Sequence, residues 1–379
     1  MAEPPPLPQV TPPAGLHVAV DGSGLARPRA GIGTYTREIL AAMLAVRPGH
    51  RMTLWLPRGV ESPVSSPRLA VRQVPGTRLV GRHWQWPARV RRQRPHAYFG
   101  PAGLLPLGDI GVPAVVTAHD MAIYLHPEWF PGGQPLSTRL VVPRSMERAH
   151  TVICVSRNTA ADVAAIFGLP QQRLEVIPEG VGRRFRPLDA ERTGLVRAGL
   201  RLPERFLLFV GTVEPRKNLD TLIDAWAQMS HRPPLVVAGG WGWGSVEATR
   251  EKMARLAPAG LHHLGEVSPA DLPAVYSQAA ALAHPAWYEG FGLTPLEAMA
   301  CGTPVVASNA SSLPEVVGDA ALTVDPGDVR AWTQALEQVF GDPALAGELR
   351  RKGLLRAAQF GWETAAERTW RVIERAARG

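Results

Sequence analysis

Two cysteines, Cys154 and Cys301, are all that the 379 residues contain, too few for a disulfide-dense scaffold. Both lie in apolar surroundings and are expected as buried reduced thiols, which points to a cytoplasmic protein. No apolar run approaches the roughly 18 residues of a membrane span. The opening stretch MAEPPPLPQVTPP, residues 1–13, lacks the apolar segment of a signal peptide and is expected as a disordered proline-rich tail. No zinc spacing or helix-turn-helix pattern accompanies the formal charge of +8, and the arginines are spread through the whole chain. Nucleic acid is therefore set aside. A polyphosphate substrate handled near an anionic membrane surface suits that charge better.

What is present is enough apolar residue, 45%, for a sizeable interior, in a chain too long for one ordinary core. The expected organisation is α/β: a Rossmann-like domain over 14–182, a linker at 183–203, a second Rossmann-like domain over 204–358 and a last helix at 359–379. The most informative stretch is HPAWYEGFGLTPLEAMACGTPVVAS, residues 284–308. Glu289 and Glu297 stand eight positions apart around the turn Gly290-Phe291-Gly292. Thr294-Pro295 has the form of a helix start, Leu296, Met299 and Ala300 follow at helical spacing, and Gly302 suits a left-handed helix end. A loop whose backbone N–H groups and positive helix end converge on one point binds anions, diphosphates above all. Two plainer readings stand beside this one. Thr294 and Glu297 also form a capping box, and two carboxylates also suit acid–base glycoside chemistry.

Other stretches carry chemistry at strand ends. Val112–Ala118 is an apolar strand delivering His119-Asp120 at its carboxyl end, where open parallel sheets bind ligands. His126 and Glu128 beyond it either line an acceptor cleft or are loop residues. After a strand over 205–210, Arg216 and Lys217 sit beside a helix start that Asn218 is expected to cap; two cations there can neutralise a leaving diphosphate. Gly31 and Gly33, in a loop before a helix from about Thr34, either cradle a ligand or make a tight turn. As a dinucleotide fingerprint they lack the third glycine. Trp84 and Trp86 with Arg89, Arg91, Arg92 and Arg94 make a basic amphipathic segment, either a helix covering the sheet or a membrane contact.

YEGFGLTPLEAMACGTPVVAS resembles the E-x7-E signature of retaining glycosyltransferases of family 4, which have the GT-B fold, and specifically their mannosyltransferase-like group. TAHD at 117–120 and GTVEPRKN at 211–218 resemble further segments of that family, and FGWETAAERTWRVIERA resembles its returning last helix. The resemblance implies two Rossmann-like domains facing across a cleft and transfer of a hexosyl group, mannosyl from GDP-mannose first and glucosyl from UDP-glucose next. The acceptor would be a glycan or lipid-linked hydroxyl. It implies that Glu297 bonds the donor ribose, and that Gly290, Phe291, Gly292 and Leu293 hold the sugar. Lys217 and Arg216 would carry the diphosphate, Glu289 would orient the reacting centre, His119 would close the site, and the backbone at Val267 would meet the base. Gly31 and Gly33 would shape the acceptor side. No metal or other cofactor is expected, since no acidic pair of the DxD type stands at a strand end. Thr212 departs from the arginine many members carry after Gly211, and Glu179-Gly180-Val181-Gly182 departs from an Asn-Gly-Val-Asp-like segment. Two further classes share parts of the pattern: a nucleotide-sugar epimerase or hydrolase of the same fold, and a dinucleotide-binding oxidoreductase.

Overall fold

The computed structural model describes residues 15–26, 31–74, 81–130, 135, 137–244 and 246–379. The proline-rich tail lies outside them. Among the described residues, thirteen strands make two sheets. The first holds β1 (His17–Asp21), β2 (Arg51–Leu56), β3 (Leu69–Gln73), β4 (Ala97–Gly100), β5 (Ala114–Ala118), β6 (Thr151–Cys154) and β7 (Leu174–Val176), in the order β3-β2-β1-β4-β5-β6-β7. The second holds β8 (Leu207–Val210), β9 (Leu235–Ala238), β10 (Leu261–Gly265), β11 (Ala281–His284), β12 (Val305–Ser308) and β13 (Leu322–Val324), in the order β10-β9-β8-β11-β12-β13. Every pairing in the second sheet is parallel.

The burial of these strands explains their sequences. Phe206 to Phe209, Leu235 to Val237, Ala281 to Ala283 and Val305 to Ala307 are all fully covered, as continuous apolar runs must be when helices lie on both faces. Chain order in the second sheet reverses between β8 and β11. That reversal splays the loops after the two strands apart and opens a crevice at their carboxyl ends. By its contacts the chain divides into two compact units, Met1–Thr117 with Val141–Val152 and Ala366–Gly379, and Ala118–Leu140 with Ile153–Ala365. Within the first unit the last helix, Trp362–Arg378, is anchored from Ala366 onward. Trp370, fully buried, donates its indole N–H to the Met43 carbonyl at 2.9 Å, and Glu374 meets His50 at 3.0 Å.

Local expectations meet the structure unevenly. Ser156 caps the helix Arg157–Phe167, its hydroxyl accepting from the Thr159 N–H at 3.0 Å. Gly302 is left-handed at φ 77°, just past the helix Leu293–Ala300. Four features differ. The helix expected from Thr34 begins at Gly31, so Gly31 and Gly33 belong to its first turn and form no loop. Thr294 caps nothing, because the helix starts at Leu293, two residues earlier than expected, with Gly292 at its cap, at φ 120°. The stretch 183–203 contains the helix Ala190–Leu200, capped by Asp189; its weak apolar periodicity hid it, and of its residues only Val196 is buried. Finally, β4 had no sequence signal beyond four buried residues, Ala97 to Gly100.

The basic tryptophan segment is a cover with an exposed charged side. Trp86, Pro87 and Val90 are buried in the helix Trp86–Gln93, while Arg89, Arg91, Arg92 and Arg94 face solvent and Trp84 is 58% exposed. Among the described residues no helix is long and apolar enough to cross a membrane.

Candidate active site

The crevice between β8 and β11 gathers most of the expected residues within the second unit. The chain leaves β8 through Gly211 and returns in a short turn, Pro215–Lys217, that ends at a left-handed Asn218, φ 55°. Asn218 does not cap the following helix. Its amide nitrogen donates to the carbonyls of Pro285, at 3.0 Å, and Pro326, at 2.7 Å, so it ties the β8 loop to the β11 loop. Arg216 and Lys217 are thereby aimed at Glu289.

Glu289 is the centre of the cluster. One carboxylate oxygen, Oε2, accepts from the Arg216 guanidinium at 2.8 Å. The other, Oε1, takes the Lys217 ammonium and the His284 Nε2, the latter at 3.0 Å. Arg216 also donates to the Tyr288 carbonyl at 2.9 Å and to Glu214 at 2.7 Å. All of these groups are nearly or fully buried. Burial by itself would push the Glu289 carboxyl up; the charges of Lys217 and Arg216 outweigh it and, with the hydrogen bond from His284, hold the group well below the usual carboxylate range. Burial pulls His284 below its ordinary value, assisted by the two cations, so the imidazole is neutral and its Nε2–H is the donor to the carboxylate. Glu289 and Glu214 then balance Arg216 and Lys217.

The loop after Glu289 leaves no room for a side chain at Gly290, while the Phe291 ring packs against Phe360. A Cβ on Gly290 would overlap the His119 carbonyl oxygen at the end of β5. The Thr159 hydroxyl donates to the Gly290 carbonyl at 3.0 Å, and the Ser312 hydroxyl lies 2.6 Å from the Phe291 carbonyl. Tyr288 bridges the same elements, donating to Asp162 at 2.7 Å and accepting from the Met121 N–H at 3.2 Å. His119 is thus brought to Gly290, and its Nδ1 lies 3.3 Å from Glu179, a buried carboxylate. Gly290, Phe291 and Gly292 are buried, and Leu293 is half-buried at the helix start.

Glu297 stands one turn along that helix, where the Tyr276 hydroxyl donates to its Oε2 at 3.1 Å. Burial and the neighbouring Glu297 charge raise the Tyr276 phenol well above its ordinary value, so it remains a donor. Val267 lies in the segment after β10. Ser268 does not cap the helix Leu272–Gln278 directly but holds the turn before it, accepting from the Asp271 N–H at 3.2 Å. Gly31 and Gly33 fall in the other unit, outside this cluster. Among the described residues no group of three or more histidine, cysteine and acidic side chains is arranged to hold a metal ion.

Sequence reasoning missed His284, Glu214, Tyr276 and Glu179 as members of the site. His284 and Glu179 occupy strand-end positions, the only local signal any of them offers.

Two family models together cover most of the chain: "Glycosyltransferase Family 4" matches residues 29–183, and "Glycosyl transferases group 1" matches residues 196–355. O-antigen chain mannosyltransferase B of Escherichia coli is 34% identical over 292 residues, 74% of either chain. The chain is a family 4 glycosyltransferase. A serotype-specific mannosyltransferase of E. coli, WbdA, is 31% identical over 276 residues, 69% of this glycosyltransferase but only 33% of WbdA. The structure of sucrose-phosphate synthase from Thermosynechococcus elongatus superposes with a TM-score of 0.77 at 22% identity, covering 95% of this chain and 98% of that one. That likeness concerns the fold, and two parallel-sheet Rossmann-like domains of the GT-B type are what the glycosyltransferase has.

The charge balance makes the site acid-sensitive. Above pH 6.5 both His284 and Glu289 are in the protonation states the cluster requires. Below that, the unfolded chain takes up a proton at histidine that the native site resists, because the native imidazole titrates lower; below about 4.5 the same holds for Glu289. Stability is therefore expected to fall in two stages as pH drops, the first below 6.5 and the second from about 4.5 downward. Melting temperatures across that range check this, and Glu289→Gln should flatten the lower stage.

Proposed function

We propose that this glycosyltransferase moves a mannosyl group, with retention of anomeric configuration, from GDP-mannose to a hydroxyl of a glycan or lipid-linked glycan. UDP-glucose is the next donor in order of preference. The observation that carries the reading is the buried Arg216–Lys217–Glu289 cluster at the point where the second sheet reverses, in a chain similar to two mannosyltransferases.

Lys217 and Arg216 supply positive charge where a diphosphate leaves, and charge that grows in the transition state is what preorganised cations stabilise. Arg216 is fastened by three acceptors, so Lys217, whose ammonium has donors to spare, is the group that follows the departing phosphate. The backbone of Gly290 to Leu293 receives the sugar, Glu297 the ribose hydroxyls, and the backbone near Val267 the base. His119, steadied by Glu179, closes the site beside the sugar. In the transfer the anomeric C–O bond to the diphosphate breaks and the bond to the acceptor oxygen forms on the same face. The acceptor proton passes to the departing phosphate oxygen. No metal enters this reading, since the diphosphate charge is met by side chains.

The direct test is mass-spectrometric detection of product after incubation with a panel of nucleotide sugars and glycan acceptors. Transfer from GDP-mannose with a retained anomer is expected; nucleotide-sugar turnover without any acceptor dependence would favour a hydrolase or epimerase instead. Lys217→Ala is expected to lower turnover by on the order of 10²–10³ and to lower the melt as well, since buried Glu289 loses a partner, and Lys217→Arg to rescue poorly. Wild-type rates in the alanine variant would remove Lys217 from the mechanism.

Glu297→Ala should weaken nucleoside diphosphate binding by roughly 1.5–3 kcal/mol in calorimetric titration, through loss of a charged acceptor for hydroxyls. A drop in stability with unchanged affinity would reduce Glu297 to a partner of Tyr276. The exposed arginines of the Trp86–Gln93 helix and beyond suit peripheral contact with anionic lipid, where each charge is worth roughly 1 kcal/mol. Changing Arg91, Arg92 and Arg94 to glutamine should then abolish co-sedimentation with anionic vesicles; sedimentation like the parent would leave the helix as a cover alone.

A further inference from the structure

His284 has no part in the roles assigned so far, yet it is the group on which Glu289 depends once the donor arrives. It ends β11, held between β8 and β12 in the middle of the second sheet, and is 1% exposed. Its Nε2 lies 3.0 Å from Glu289 Oε1, while its Nδ1 is buried with no hydrogen-bond partner. A buried nitrogen left without a partner carries a desolvation cost, and such groups call for an explanation.

Glu289 has two kinds of partner. Arg216 grips Oε2 and is itself tied to Glu214 and the Tyr288 carbonyl, so it is not free to leave. Oε1 is shared by Lys217 and His284. A diphosphate in the crevice competes with Glu289 for the Lys217 ammonium. When the lysine turns away, Oε1 keeps one donor.

We propose that His284 is a positioning residue for transfer, holding Glu289 in place while Lys217 leaves that carboxylate for the donor diphosphate. The inference rests on the donor reading given above. A neutral donor suits the task for an electrostatic reason. A third cation here would draw the diphosphate away from Lys217, whereas an imidazole N–H steadies the carboxylate without adding charge. Strand β11 supplies the rigidity, since a side chain at a central strand end has little room to follow the lysine. The loop behind it is pinned as well, by the Ser308 hydroxyl donating to the Ala286 carbonyl at 2.6 Å. Because Lys217 still holds Glu289 before donor binds, loss of His284 acts on the loaded enzyme.

The test compares His284→Leu, His284→Gln and His284→Asn in full-length enzyme, with steady-state kinetics on the donor that the panel identifies. Glutamine carries its N–H₂ at about the reach of Nε2; asparagine carries it where Nδ1 sits. The leucine variant is expected to lose on the order of tenfold to a hundredfold in kcat, the scale of one charge-assisted hydrogen bond or a misplaced reacting group, with donor KM changed less than about threefold. Glutamine should recover kcat to within about fivefold of the parent, and asparagine should resemble leucine. Should the leucine variant fail to fold, the glutamine and asparagine pair carries the comparison. Nitrogen NMR of the parent at pH 7 should show a neutral imidazole protonated at Nε2. Full kcat in the leucine or asparagine variant, a loss confined to KM, or an imidazole protonated at Nδ1 would overturn the proposal. Absence of turnover in the parent with every nucleotide sugar would instead sink the donor reading, and this inference with it.

Discussion

A carboxylate buried among two cations and a neutral histidine is the constraint on which the second unit depends. Taking Glu289, Arg216 and Lys217 out of water is costly, and a pair of this kind is tolerated only where geometry and further hydrogen bonds satisfy each group. The fold supplies those bonds through backbone as much as side chain. Arg216 reaches the Tyr288 carbonyl, and the Glu289 N–H donates to the Ser311 hydroxyl at 2.8 Å. Removing any one partner leaves charge uncompensated in a dry place, so the cluster holds its shape as a unit.

The reversal of strand order makes such a cluster possible. Because β8 and β11 are neighbours in space but separated by two strands in sequence, their loops approach from different directions and meet without a connecting turn. Asn218 ties the β8 loop to the β11 loop through the Pro285 carbonyl and to the loop after β13 through the Pro326 carbonyl. Gly290 lets the His119 backbone pack directly on the turn, and the His119 ring meets Glu179 there. Glycine is required there by the close approach of the His119 carbonyl, and a methyl group could not be accommodated.

The arrangement also separates two jobs that a sequence motif runs together. Glu289 is a charge-balancing group, locked among cations. Glu297, on the helix after the turn, accepts from the Tyr276 hydroxyl and takes no part in the ion-pair cluster around Glu289 that joins Arg216 and Lys217. Likewise the adjacent Arg216 and Lys217 differ in freedom: the planar guanidinium is held by three acceptors, and the compact ammonium by one carboxylate.

By itself the sequence determined the parallel α/β class, most strand positions and the capping of Arg157–Phe167 by Ser156, and it singled out Glu289, Glu297, Arg216, Lys217 and His119 as candidates, all of which fall in the second unit. Those features are local: continuous apolar runs mark buried parallel strands, and charged residues beside glycine at strand ends mark the edge where ligands bind. Helix starts were legible only in part. Thr294-Pro295 and Asn218 carry capping chemistry, but backbone contacts across the crevice decide the geometry, so one side chain caps nothing and the other serves distant carbonyls. His284, Glu214, Tyr276 and Glu179 were out of reach for a similar reason. A histidine at the end of an apolar strand, or a glutamate before a proline, has the same local sequence whether it faces a carboxylate or an ordinary core. His284 meets Glu289, five residues further along the same loop, at 3.0 Å. Only the packing of β8 beside β11 brings Arg216 and Lys217 to that carboxylate, and proximity in a low-dielectric interior is what gives the cluster its chemistry.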